Sequence, residues 1–226
     1  MEDYKYIEIL IEDESGKIIV KHIMDKYTDC MENISYRIHS FKGIGKIPLK
    51  AKKMSQVKSK RLLTDLPQYL KGIDSYLKGM PGKKAIFVVL DCDDEDCVAL
   101  KKALVQMYDS LEISMEVFFC IAIEEMEAWL LGDNAAVLKA YPSAKRNMLQ
   151  KYVQDSIVGT WECLADSVYR GGLQALKRNG VSYYEIGKFK CECADNIGKF
   201  LDIRRNASPS FNYFIGKLDM FCNIAT

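Results

Sequence analysis

Three nearly continuous apolar runs stand out along the chain, and each one stops at an acid. Tyr6 to Ile11 ends at Glu12, Ala85 to Leu90 ends at Asp91, and Val117 to Ile123 ends at Glu124. Short runs of this kind, rich in β-branched and aromatic side chains, predict central strands of a sheet covered on both faces. Helical spacing follows each of them. After the first, Ile19, Ile23 and Tyr27 recur at i, i+4 and i+8, with Ser15 as the expected N-cap. After the second, Leu100, Leu104, Met107 and Leu111 share a face, and after the third a helix is expected over 124–131.

A shorter strand is expected over Ser35 to His39, and a helix over Gln56 to Leu77, interrupted near Pro67. Strands alternating with helices predict an α/β fold with a mostly parallel sheet flanked by helices. From about Asn134 onward strand signals stop. Segments 135–141, 144–153, 160–169 and 210–223 read as short helices, so residues 1–133 form the α/β core and 134–226 a helical C-terminal lobe packed on it. In sheets of this class the ligand crevice lies at the carboxyl ends of the strands. That edge would carry Glu12, Asp91 and Glu124.

Composition narrows the function classes without choosing among them. The 226 residues are 49% hydrophobic, and 32 Lys and Arg against 31 Asp and Glu leave a net charge of +1, which excludes disorder as the main state. The apolar runs fall far short of the roughly 18 residues of a membrane span, and the first residues carry no secretory pattern, so a cytoplasmic protein is expected. Eight cysteines form no CxxC pair, and Cys191 and Cys193 are the only close ones. Zinc is therefore not expected, and with only His22 and His39 available the chemistry falls to carboxylates.

The near-zero total hides a segregation of charge. Between Ser40 and Thr64 stand Lys42, Lys46, Lys50, Lys52, Lys53, Lys58, Lys60 and Arg61 with no acid, whereas Asp91 to Asp96 holds five acids in six positions. The basic stretch reads as a solvated surface or as a track for nucleic-acid phosphates. Within the acidic stretch, Asp94, Glu95 and Asp96 suit the positive end of the next helix, but Asp91 closes an apolar strand and needs another reason. Asp91 and Asp93, two apart, would share a strand face. With Glu12 they form a group of hard oxygen donors suited to Mg²⁺ or Mn²⁺ and to phosphodiester chemistry.

Ile9-Leu10-Ile11-Glu12 before a helix, with Val88-Val89-Leu90-Asp91-Cys92-Asp93 after a later strand, resembles the Toprim (Rossmannoid) fold of topoisomerases, primases and overcoming-lysogenisation-defect nucleases. The segment Ile123-Glu124-Glu125-Met126-Glu127-Ala128-Trp129-Leu130-Leu131-Gly132-Asp133 is similar to the signature of a bacterial Toprim-related family, domain of unknown function 4276. Two later segments, Gly159 to Asp166 and Asn206 to Phe211, also resemble that family. The resemblance implies Glu12 as the first acid, Asp91 and Asp93 as the Asp-x-Asp pair, and Glu127 as an added acid. A helix begun at Glu124 would turn Glu124 and Glu127 together toward the same ion. Asp13 departs from the glycine that many Toprim domains carry after the first Glu.

By that resemblance the chain is expected to be a Mg²⁺- or Mn²⁺-dependent nuclease acting on DNA or RNA, partnered with an ATPase of the ABC or structural-maintenance type in anti-phage defence. The alternative is a non-catalytic Toprim-like regulatory or binding subunit of such a complex, and a homo-oligomer remains open. Trp129 and Trp161 are expected in the core rather than as base-stacking platforms. Ser208 to Phe211 reads as a helix start, and Lys188 and Lys190 as exposed lobe lysines able to reach a phosphate.

Overall fold

The computed structural model describes residues 4–29, 31–48, 61–156, 159–178 and 182–224. Four strands, β1 (Lys5–Ile11), β2 (Ile34–Ser40), β3 (Lys83–Asp91) and β4 (Glu116–Ala122), form one all-parallel sheet in the order β2-β1-β3-β4. Alternating side chains feed two separate apolar layers, as a twice-covered sheet requires. Ile7, Ile9, Ile11, Phe87, Val89, Phe118 and Cys120 join one cluster, while Leu10, Ile86, Val88, Leu90 and Phe119 join the other. The second cluster is closed by α2 (Leu62–Leu77) and α3 (Cys97–Asp109).

The first cluster is larger because the C-terminal half contributes to it. It takes in α1 (Glu14–Thr28) and residues of α4 (Glu127–Leu131), α5 (Asn134–Ala140), α6 (Arg146–Lys151), α7 (Thr160–Val168), α8 (Gly172–Arg178), α9 (Tyr183–Gly198) and α10 (Pro209–Cys222). α9 packs along α1, and α10 packs on β4. Trp129 lies at their junction, fully buried, stacked 5.2 Å from Phe214 and edge-on 5.5 Å from Phe211, with its indole N–H donating to Ser210 Oγ at 3.0 Å. Phe214 in turn meets Phe87 of β3 at 5.9 Å. This chain of rings ties the Glu-Ala-Trp-Leu-Leu segment to the sheet.

Several local expectations are corrected. Asp13, not Ser15, caps α1: its Oδ1 accepts the Gly16 N–H at 2.7 Å and its Oδ2 the Ser15 hydroxyl at 2.9 Å. An acid where a glycine was expected thus satisfies a helix-end amide. α2 runs unbroken through Pro67, which lies near the helix start, where the missing N–H forfeits a single bond; residues 56–60 of the expected helix lie outside the described residues. α4 begins at Glu127 rather than at 124, because Glu124 takes a φ of 62° that no right-handed helix accommodates. α9, sixteen residues long, has no counterpart among the expected helices. No helix of the described residues is long and apolar enough to cross a membrane.

Candidate functional site

The topology creates one switch point. From β1 the chain crosses to β2 on one side, and it returns to place β3 on the other, so the crevice opens where the carboxyl ends of β1 and β3 diverge. Glu12 follows β1 and Asp91 ends β3. They meet directly: the Asp91 backbone N–H donates to Glu12 Oε2 at 3.3 Å.

The carboxyls of Glu12 and Asp91 are crowded and partly or wholly withdrawn from solvent, whereas Asp93 is exposed. Burial pushes Glu12 up to about 7, aided by the negative charges of Asp93 and Asp13 and held back by the Asp91 amide and Lys190. Asp91, only 8% exposed, is raised well above the usual carboxylate range by burial and then by Glu12. Among the described residues no donor reaches its Oδ1, an arrangement that is costly for a buried carboxylate. Asp93 is raised as well, by burial first. β3 has ended before Asp93, which adopts a φ of 45° in the following turn, so strand alternation does not place it beside Asp91. Its N–H instead donates to the Glu124 carbonyl at 3.0 Å, and its charge bears on Glu12.

The acids after β4 divide between two tasks. Glu124 accepts the Gly159 N–H at 2.6 Å and the Thr160 N–H at 2.9 Å and also bonds the Thr160 hydroxyl, so both its oxygens serve the start of α7. Gly159 can meet it because its φ of 75° is open to glycine. Glu125 accepts the Trp161 N–H at 3.0 Å and sits 3.3 Å from Lys190 Nζ; burial, with the charge of Glu127, pushes it up to about 7. Glu127 is fully buried, raised by burial, and lies 3.0 Å from the same ammonium. Glu124 and Glu127 therefore do not point to one ion as a shared helix face would have them do.

Lys190 is the residue that sequence reasoning placed wrongly. Its side chain is 13% exposed, and although burial pulls its pKa down, Glu127, Glu125 and Asp91 hold it raised. The signal was present in Ser182-Tyr183-Tyr184-Glu185, a capping box in which Ser182 and Glu185 bond each other's backbone amides, followed by apolar Phe189, Cys193, Ala194 and Ile197. That spacing sets a buried helix face that carries Lys190 inward.

Two members of the basic track are described at the same sheet edge. Lys42 and Lys46 are exposed, and the loop holding them is tied to the site by Phe41 N–H to the Ile11 carbonyl at 3.0 Å and Gly43 N–H to the Glu12 carbonyl at 3.2 Å. Arg61, also exposed, precedes α2. Lys50, Lys52, Lys53, Lys58 and Lys60 lie outside the described residues. In the acidic run, Asp96 caps α3 through the Val98 and Ala99 amides, the helix-opening role expected for it.

The donor set meets some of the needs of Mg²⁺ or Mn²⁺. Hard carboxylate oxygens, a buried Asp91 oxygen without a donor and mutual repulsion at Glu12 all suit a hard divalent cation. Among the described residues no three His, Cys, Asp or Glu side chains are already gathered closely enough to enclose one. The chain finds no match among protein-family models, curated proteins or solved structures.

The raised Glu12 carries a measurable cost. Its proton leaves more easily in the unfolded chain than in the folded one, so its stabilising contribution is present below 4.5 and lost as pH rises through about 7. In EDTA, Glu12→Gln is therefore expected to stabilise the fold at pH 8 by up to about 3 kcal/mol and to have no effect near pH 4. Urea melts at the two pH values check this; an equal effect at both would refute it.

Proposed function

We propose that the chain is a Toprim-like nuclease that cleaves DNA or RNA phosphodiesters with Mg²⁺ or Mn²⁺. The observation that carries this reading is the contact of Glu12 with Asp91 across the switch point, with Asp91 Oδ1 left without a donor among the described residues. Glu12, Asp91 and Asp93 would hold the ion; Glu124 is engaged by the start of α7, and Glu127 is ion-paired with Lys190 at 3.0 Å, although among the described residues neither of its oxygens has a well-directed hydrogen bond. When bound, such a cation supplies Lewis-acid chemistry and charge neutralisation for a phosphodiester. Glu12 would serve either as a ligand of the ion or as the base that takes a proton from an attacking water. Lys42 and Lys46 would draw backbone phosphates toward the same edge. Partnership with an ABC- or structural-maintenance-type ATPase in anti-phage defence rests on the resemblance of the Glu-Ala-Trp-Leu-Leu segment.

The test is incubation of the purified chain with labelled DNA and RNA in Mg²⁺, Mn²⁺ or EDTA, with and without a partner ATPase. Cleavage that requires the ion is expected. Cleavage in EDTA, or none under any condition, would overturn the reading. Lys42→Gln with Lys46→Gln is expected to flatten the log-log salt slope of nucleic-acid binding by about 1.8, two contacts at about 0.9 each. An unchanged slope removes these two residues from the interface.

A second reading, a non-catalytic regulatory or binding subunit, is favoured by Lys190, whose ammonium already balances part of the acidic cluster. It predicts nucleic-acid or ATPase binding without cleavage.

A further inference from the structure

The acidic cluster has two halves that differ in how their charge is balanced. Among the described residues no cation directly contacts Glu12, Asp91 or Asp93 at the ends of β1 and β3, whereas Glu125 and Glu127 share the Lys190 ammonium at 3.3 and 3.0 Å. Lys190 is not an accidental neighbour. The capping box sets the start of α9, and buried Phe189, Cys193, Ala194 and Ile197 hold its inner face. α9 packs against α1, α4 and α5, so the helix cannot turn the lysine outward without unpacking that face. Glu125 is held from its other side by the Trp161 amide.

Building on the nuclease reading, we propose that Lys190 is a tethered counter-cation that occupies the Glu125–Glu127 half of the cluster and limits the site to one divalent ion at Glu12, Asp91 and Asp93. Two buried carboxylates need a positive partner. A covalently attached ammonium fills that need at all times, and a second divalent ion placed beside it would meet strong like-charge repulsion at short range. A salt bridge with a merely structural role would leave ion stoichiometry untouched, which makes stoichiometry the discriminating readout.

Calorimetric titration with Mn²⁺, checked by paramagnetic resonance of the free ion, is expected to give one ion per chain for the unaltered protein and two for Lys190→Met. Lys190→Met should also melt at a lower temperature in EDTA and gain more from Mn²⁺ than the unaltered chain does. Should Lys190→Met fold only in Mn²⁺, the count still decides: two ions per chain are expected, and one overturns the proposal. If it fails to fold even then, Lys190→Gln, which keeps a donor for Glu125 but removes the charge, takes its place: two ions per chain are expected, and one overturns the proposal. One ion in both the unaltered protein and folded Lys190→Met overturns the proposal and leaves the nuclease reading standing. No ion in either protein refutes the nuclease reading itself.

Discussion

Asp91→Asn is expected to lower ion-dependent cleavage by about 10²- to 10³-fold while leaving the fold intact, the scale of loss seen when one preorganised electrostatic group is removed. In the sequence, a fully apolar strand ends in an acid that a later helix cannot account for. The fold then sets that acid against Glu12 at the switch point, buried and with one oxygen that no donor among the described residues reaches. Asn keeps the shape and removes the charge, so the repulsion with Glu12 falls and stability in EDTA should hold or rise. Loss of ion binding must accompany loss of cleavage. An Asp91→Asn protein that cleaves as well as the unaltered chain would remove Asp91 from the site. A variant that loses activity only because it unfolds would show a collapsed circular dichroism signal, and the calorimetric ion titration would have no meaning until Asp91→Glu was tried.

Trp129→Ala is expected to cost about 3–5 kcal/mol of folding stability, the range for truncating a large buried aromatic side chain. Trp129 joins α4, α10 and, through Phe214, the sheet, so the cavity would open at the joint of both halves of the chain. The Ser210 hydroxyl would also lose the donor it receives from the indole. In a protein of this size the melting temperature should fall by roughly 10 °C or more, read by circular dichroism because the substitution removes one of two tryptophans. A loss below about 1 kcal/mol would mean the ring cluster does not hold the halves together. Trp129→Phe, which keeps most of the volume and loses the hydrogen bond, should fall between the two.

The segments that carried the family resemblance converge in space. Glu124 and Glu125 after β4 are gripped by the amides of Gly159, Thr160 and Trp161. Asn206 donates to the Trp129 carbonyl at 2.7 Å and accepts the Ser208 N–H at 2.9 Å, which docks the start of α10 onto α4. Each motif thus has a structural task that its residue types explain: a glycine where φ is positive, an amide side chain that bridges two backbones, and a tryptophan that fills a joint.

The sequence by itself determined the elements whose signal is local. Apolar runs marked β1, β3 and β4 to within two residues at each end, because strands packed on both faces show their burial along most of their length, and the shorter, half-exposed edge strand β2 was marked to within one residue. The spacing of Ile19, Ile23 and Tyr27 marked α1, and the acids at strand ends marked the crevice edge, because parallel βαβ connections place all carboxyl ends together. Tertiary structure alone decided which of those acids face one another. Glu12 meets Asp91 through the strand order, Glu124 turns away because its backbone leaves the helical region, and Lys190 arrives from a helix more than sixty residues beyond Glu127. Local pattern reports what a residue needs from its surroundings. Which partner meets that need depends on long-range packing, and that packing settles how the charges of this site are balanced.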